Sequence, residues 1–173
     1  MAQYDQAVSQ FRYTSTCRLI TEYLKTSILP ADGNLPDKDI YRGSVAHDIE
    51  VFNIDSSFVE ELRKNWGSRT IRIFDNVVCS ISRDNVNAYV NAIIDRKMDQ
   101  YNRVATAVNA LNNSKAELAR EKEALENELS HLGIFAGKRK KEIRAWLEAM
   151  PEKEATLISQ GTQAIADADS PSL

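Results

Sequence analysis

Apolar side chains recur from Val90 in steps that alternate four and three. The series runs Val90, Ile94, Tyr101, Val104, Val108, Leu111, Leu118, Leu125, Leu129 and Leu132, with Lys97, Lys115 and Lys122 at the intervening positions. A 3.5-residue repeat sustained over this length predicts a long helix whose apolar stripe faces a partner helix, as in a coiled coil. No glycine or proline interrupts the chain between Asp84 and Gly133.

From Lys138 the same spacing returns at Ile143, Leu147, Met150, Glu154 and Leu157. Folded back antiparallel, it sets Leu125 against Ile143, Lys122 against Leu147, Leu118 against Met150, Lys115 against Glu154 and Leu111 against Leu157. The one acid of the return seam then meets a lysine, and a helical hairpin is predicted over residues 84–160. LGIFAG is its turn: Gly133 ends the first helix, Gly137 lets the chain reverse, and Ile134 with Phe135 is expected to cap the seam. Pro151 is expected to kink or restart the return helix, and residues 161–173 to form a disordered tail. The LG-x-F-x-GK turn and its basic helix resemble a helical-hairpin connection in assorted uncharacterised bacterial proteins. That resemblance spans about residues 129–150, implies bacterial or phage provenance, and brings no activity with it.

Residues 1–83 read as a small α+β domain. Val8, Phe11, Cys17, Ile20, Leu24 and Ile28 recur at mostly helical spacing up to Pro30, and Gly33, Asn34, Pro36 and Gly43 mark residues 31–43 as a loop. Partial alternation across residues 46–54 predicts a half-buried strand. A short helix follows from Asp55 to Gly67, with Ser57 and Glu60 as a capping box. RTIRIF and VVCSIS, separated by Asp75 and Asn76, predict a β-hairpin. The expected fold class is therefore α+β: a small antiparallel sheet with helices, then a long antiparallel helical hairpin.

Charge and chemistry narrow the function. The formal net charge is -3, with both signs spread along the chain, which argues against a general nucleic-acid coat and leaves any anion binding local. The local exception is the run Lys138, Arg139, Lys140 and Lys141, with Arg144 a turn further on. Cations at a helix start oppose the helix dipole, so this tip is a candidate anion-binding hook; the plainer reading is a solvated tip balanced by Glu123, Glu126 and Glu128. Cys17 and Cys79 lie in apolar contexts without CxxC spacing and read as reduced, buried thiols of a cytoplasmic protein. His47 and His131 are too far apart in pattern to form a metal set, no glycine-rich phosphate loop is present, and no nucleophile comes with an oriented base. Asp48 and Glu50 would share a face of the expected strand, with Asp55 near its end, which keeps a metal-dependent enzyme or small-ligand binder on the sheet face in view.

The preferred reading is a noncatalytic protein-interaction or assembly protein with no cofactor and no transmembrane segment. The return helix reaches only the distal half of the long one, leaving Val90, Ile94, Tyr101, Val104 and Val108 to be covered by the first helix or by a second copy. A homodimer through that seam, or a protein partner, is expected. The rival is a nucleic-acid-binding module that uses the basic tip.

Overall fold

The computed structural model of the 173-residue chain describes residues 18–51, 70–74, 77–80 and 86–171. The part of the expected first helix that precedes residue 18, with Cys17, and the short helix from Asp55 to Gly67 lie outside the described residues. The elements are α1 (18–24), α2 (Lys38–Val51), β1 (Thr70–Phe74), β2 (Val77–Ser80), α3 (Val86–His131) and α4 (Gly137–Asp169). They fall into two compact units. One contains the residues up to Asn102 together with those from Asp169 onward, the other Arg103–Ala168.

In the first unit, Ile20, Leu24 and Ile28 recur every four residues and are all buried. Helix α1 ends as Lys25 and Thr26 donate their amides to Glu22 and Tyr23 carbonyls, and the Thr26 hydroxyl donates to Tyr23 O at 2.6 Å. The chain then turns through Pro30 and Gly33, whose φ of 75° suits glycine. Asp32 accepts hydrogen bonds from the Asn34 amide and side chain, which hold its carboxyl below the usual range. Asp37 is the cap of α2: its Oδ1 accepts the amides of Asp39 at 2.9 Å and Ile40 at 3.1 Å, two of the donors a helix start leaves unpaired.

Helix α2 overturns the α+β class. Residues 46–51, expected as the first strand of a three-stranded sheet, continue the helix that Asp37 starts, and Gly43 lies within it. Val45 and Ile49 are buried, one helical turn apart. The fold is helical, and its β structure among the described residues is the two-strand antiparallel pair β1–β2, in register Thr70 to Ser80 and Ile71 to Cys79. Among the described residues there is no sheet layer on which to build a site. Residues 48 and 50 lie in a helix, so the two-residue period that put them on one face of the expected strand does not apply.

The second unit is the helical hairpin of α3 and α4. Its register is tied down by Arg139, whose guanidinium donates to Glu128 through Nε (2.7 Å) and Nη2 (2.9 Å). Leu118, Lys122, Leu147 and Met150 line one cavity of about 240 Å³, together with Lys115 and Glu154, which share it without closing to ion-pair distance. Leu111 and Leu157 line a second space, and Leu111 packs on Gly161 so closely that an added Cβ there would lie 2.5 Å from its Cδ1. Ile143 and Met150 are the buried residues of α4. Helix α4 runs through Pro151 without the restart offered as one of the two expected outcomes there, and it continues through residues 161–169, which overturns the expected disordered tail. Gly161 gives Leu111 its seat, and the alanines that follow it are strong helix formers.

Candidate functional site

Two arrangements of polar and exposed side chains stand out, one in each unit. The first is the hairpin tip. Helix α3 closes with the Leu132 amide on Glu128 O, Ala136 N donates to Gly133 O across the turn, and α4 opens with Lys140 N on Ala136 O. This tight reversal leaves no interior for the residues at its apex. Ile134 is 91% exposed and Phe135 102% exposed, so neither caps the seam as the sequence suggests.

Behind the apex the basic residues divide. Arg139 is engaged by Glu128, and at 3.6 Å by Glu142. The Glu128 carboxyl is held below its ordinary range by the hydrogen bond from Arg139, and the guanidinium is raised in turn. Lys138, Lys140, Lys141 and Arg144 form no ion pair within 4 Å among the described residues. Over residues 131–147 five cations face the single acid Glu142, a local excess of positive charge in a chain whose net charge is -3. The acids offered by the neutralised-tip reading supply one partner, Glu128, for one cation.

Ser130 and His131 at the tip resemble a nucleophile and base, with Oγ and Nδ1 3.0 Å apart. Both groups also contact Asn127 O: the Ser130 hydroxyl donates to it at 2.7 Å, and Nδ1 lies 2.7 Å from it. A ring nitrogen that close to a carbonyl carries its proton, so Nδ1 cannot take one from the serine. The pair is a helix C-terminal cap.

The second arrangement lies in the first unit and surrounds Lys97, which is 1% exposed. Its ammonium donates to Thr26 O (2.8 Å), Thr26 Oγ1 (3.1 Å) and Gln100 Oε1 (3.2 Å), and sits 5.3 Å from the Tyr23 ring centroid. Three donors meet three neutral acceptors. Gln100 in turn donates from Nε2 to Thr26 O and to both the carbonyl and carboxylate of Asp169, while Asp169 accepts from the Ile28 amide (2.8 Å) and the Ser27 hydroxyl. Burial pushes the lysine down to about 8, with the Asp169 carboxylate acting against that. The cluster ties α1's exit loop, α3 and the last residue of α4 together. A signal for it was present in the sequence, since Lys97 is the one non-apolar residue between Val90 and Leu111 in the heptad series.

Of the expected oligomer seam, Tyr101 and Val104 are buried within the single chain, and Val90, Ile94 and Val108 are half-buried. The Tyr101 hydroxyl donates to Pro36 O at 2.5 Å and its ring stacks on Tyr41 at 5.4 Å. The buried residues here are Ile93, Lys97, Met98, Gln100, Tyr101 and Val104, displaced by one residue from Ile94 at their start. No group of three or more metal-binding side chains converges among the described residues, and no described helix is long and apolar enough to cross a membrane. Comparison with family models, with curated proteins and with solved structures returns no match.

Proposed function

We propose that this is a noncatalytic interaction protein that engages its partner through the tip of the helical hairpin. The observation that carries the reading is the exposure of Ile134 and Phe135 at the apex. Bringing two such side chains out of water is worth about 1.5–3 kcal/mol each, a gain that the fold leaves unused and that a partner can collect. The neighbouring cations, which work against the helix dipole, favour an anionic partner. We place the protein in the cytoplasm, on the spacing of Cys17 and Cys79.

A photo-crosslinking residue at position 135, introduced in the cells from which the gene comes, tests this. Adducts at 135 and none at the exposed mid-hairpin position Glu121 are expected; equal labelling at both positions refutes it.

A groove of about 750 Å³ along the hairpin, lined by Ala107, Ala110, Ser114, Ala149, Gly161 and Ala164, favours a second reading. In it, a helix of another copy lies in the groove, so self-association uses this face in place of Tyr101 and Val104. Light scattering over a range of concentrations distinguishes the two.

A further inference from the structure

We infer that the partner of the hairpin tip is the surface of an anionic lipid bilayer, an inference that rests on the tip being the interaction site. Ile134 and Phe135 project from a tight turn bracketed by Gly133 and Gly137 and are almost wholly in water. A convex apex of two side chains is too small to supply the area of a stable protein interface, roughly 800 Å² on each partner. It suits the boundary between headgroups and acyl chains, which accepts an apolar wedge without a matching pocket.

The order of the residues matches that of the medium. The apolar pair is at the apex, and Lys138, Lys140 and Lys141 follow within the first turn and a half of α4, at most about 9 Å behind Phe135 at 1.5 Å per residue, with Arg144 a turn further on. That is roughly the depth that separates acyl chains from phosphates. These cations have no carboxylate within ion-pair distance among the described residues, and three of them are lysines, whose flexible point charges suit headgroups of no fixed geometry. Phosphate near the start of α4 also removes the conflict between the basic run and the helix dipole. A nucleic acid would satisfy the cations equally well. It offers nothing to Ile134, an aliphatic side chain at the apex that cannot stack as bases require.

The test is flotation of the full chain with vesicles of phosphatidylcholine, with and without about 30% phosphatidylserine, at about 50 and 200 mM salt. Binding to the anionic vesicles alone is expected, weakened but not abolished by the higher salt. Lys138→Gln/Lys140→Gln/Lys141→Gln should lose roughly a hundredfold in affinity. Ile134→Ser/Phe135→Ser should lose at least about tenfold, with helix content by circular dichroism unchanged. Binding that survives the serine pair undiminished overturns the insertion, as does binding of a short RNA or DNA duplex with no binding of vesicles. If vesicles are ignored while a crosslinker at position 135 still captures a protein, the bilayer falls and the tip stands as the interaction site. If neither occurs, both are wrong.

Discussion

Lys97→Met should flatten the rise of stability with pH. Burial brings this lysine from its ordinary 10.5 to about 8 in the folded state, whereas the unfolded chain titrates at the ordinary value. Between those limits the unfolded state holds the extra proton, so wild-type stability increases with pH, by up to about 1.4 kcal/mol per pH unit. Below that window both states are charged, and about 3 kcal/mol weighs against folding. From about pH 8 to about pH 9.5, roughly 1.5 kcal/mol of it is recovered. Tyrosines act in the opposite sense. Burial raises Tyr23 and brings Tyr41 to about 12, so their contribution is full below the ordinary tyrosine value and is lost as pH climbs toward the folded one. At about pH 9.5 that loss is only about 0.2 kcal/mol each, and it is common to both proteins. Methionine leaves Gln100 Oε1 without its donor, at about 1–3 kcal/mol, which roughly offsets the charge relieved at neutral pH. Urea denaturation followed by circular dichroism at several pH values should therefore show near-equal stability at about pH 7. By about pH 9.5 the wild type should lead by a margin roughly 1.5 kcal/mol larger than at about pH 8. Equal slopes for the two proteins would refute the assignment of that window to Lys97.

Ile134→Ser/Phe135→Ser should keep the wild-type denaturation midpoint, because both side chains are already in water; a clear fall would mean that they pack. Val104→Glu should unfold the protein at constant molecular mass, since Val104 is fully buried in one chain, and dissociation of a folded dimer in light scattering would contradict this. Gly161→Ala should destabilise the hairpin despite about 1 kcal/mol of helix propensity, and should stabilise it in a Leu111→Ala background, as a double-mutant cycle would show. Leu118→Cys with Met150→Cys, in a chain lacking Cys17 and Cys79, should crosslink within one molecule under a short bifunctional reagent.

The hairpin was legible because its information is local and repeated. A heptad pattern over α3 and its continuation in α4 specify which faces meet, and once the turn is placed between two glycines the register follows; Glu128 opposite Arg139 is within one residue of the pairing read from the leucines. Helix α2 was not legible for a related reason. Val45 and Ile49 are four apart, a spacing compatible both with alternation along a strand and with one turn of a helix, and Gly43 reads as a breaker. The Asp37 cap and the burial of both side chains on one helical face decided between them.

Direction and long-range partnership are what the sequence left open. An apolar pair in a turn can fold inward or project, and only the closed backbone of the 133–136 turn shows that Ile134 and Phe135 project. Lys97 was visible as a lysine on an apolar stripe, but its acceptors come from Thr26, 71 residues away, and from Gln100, which Asp169 holds from 69 residues away. A buried ammonium is tolerable only where such acceptors converge, and convergence from distant segments is a property of the tertiary fold. The sequence by itself determined the helices of the hairpin, their seam and their turn. The tertiary structure decided which of the remaining polar and apolar groups face inward and which are left for a partner, because that depends on the space each folded segment leaves to the others.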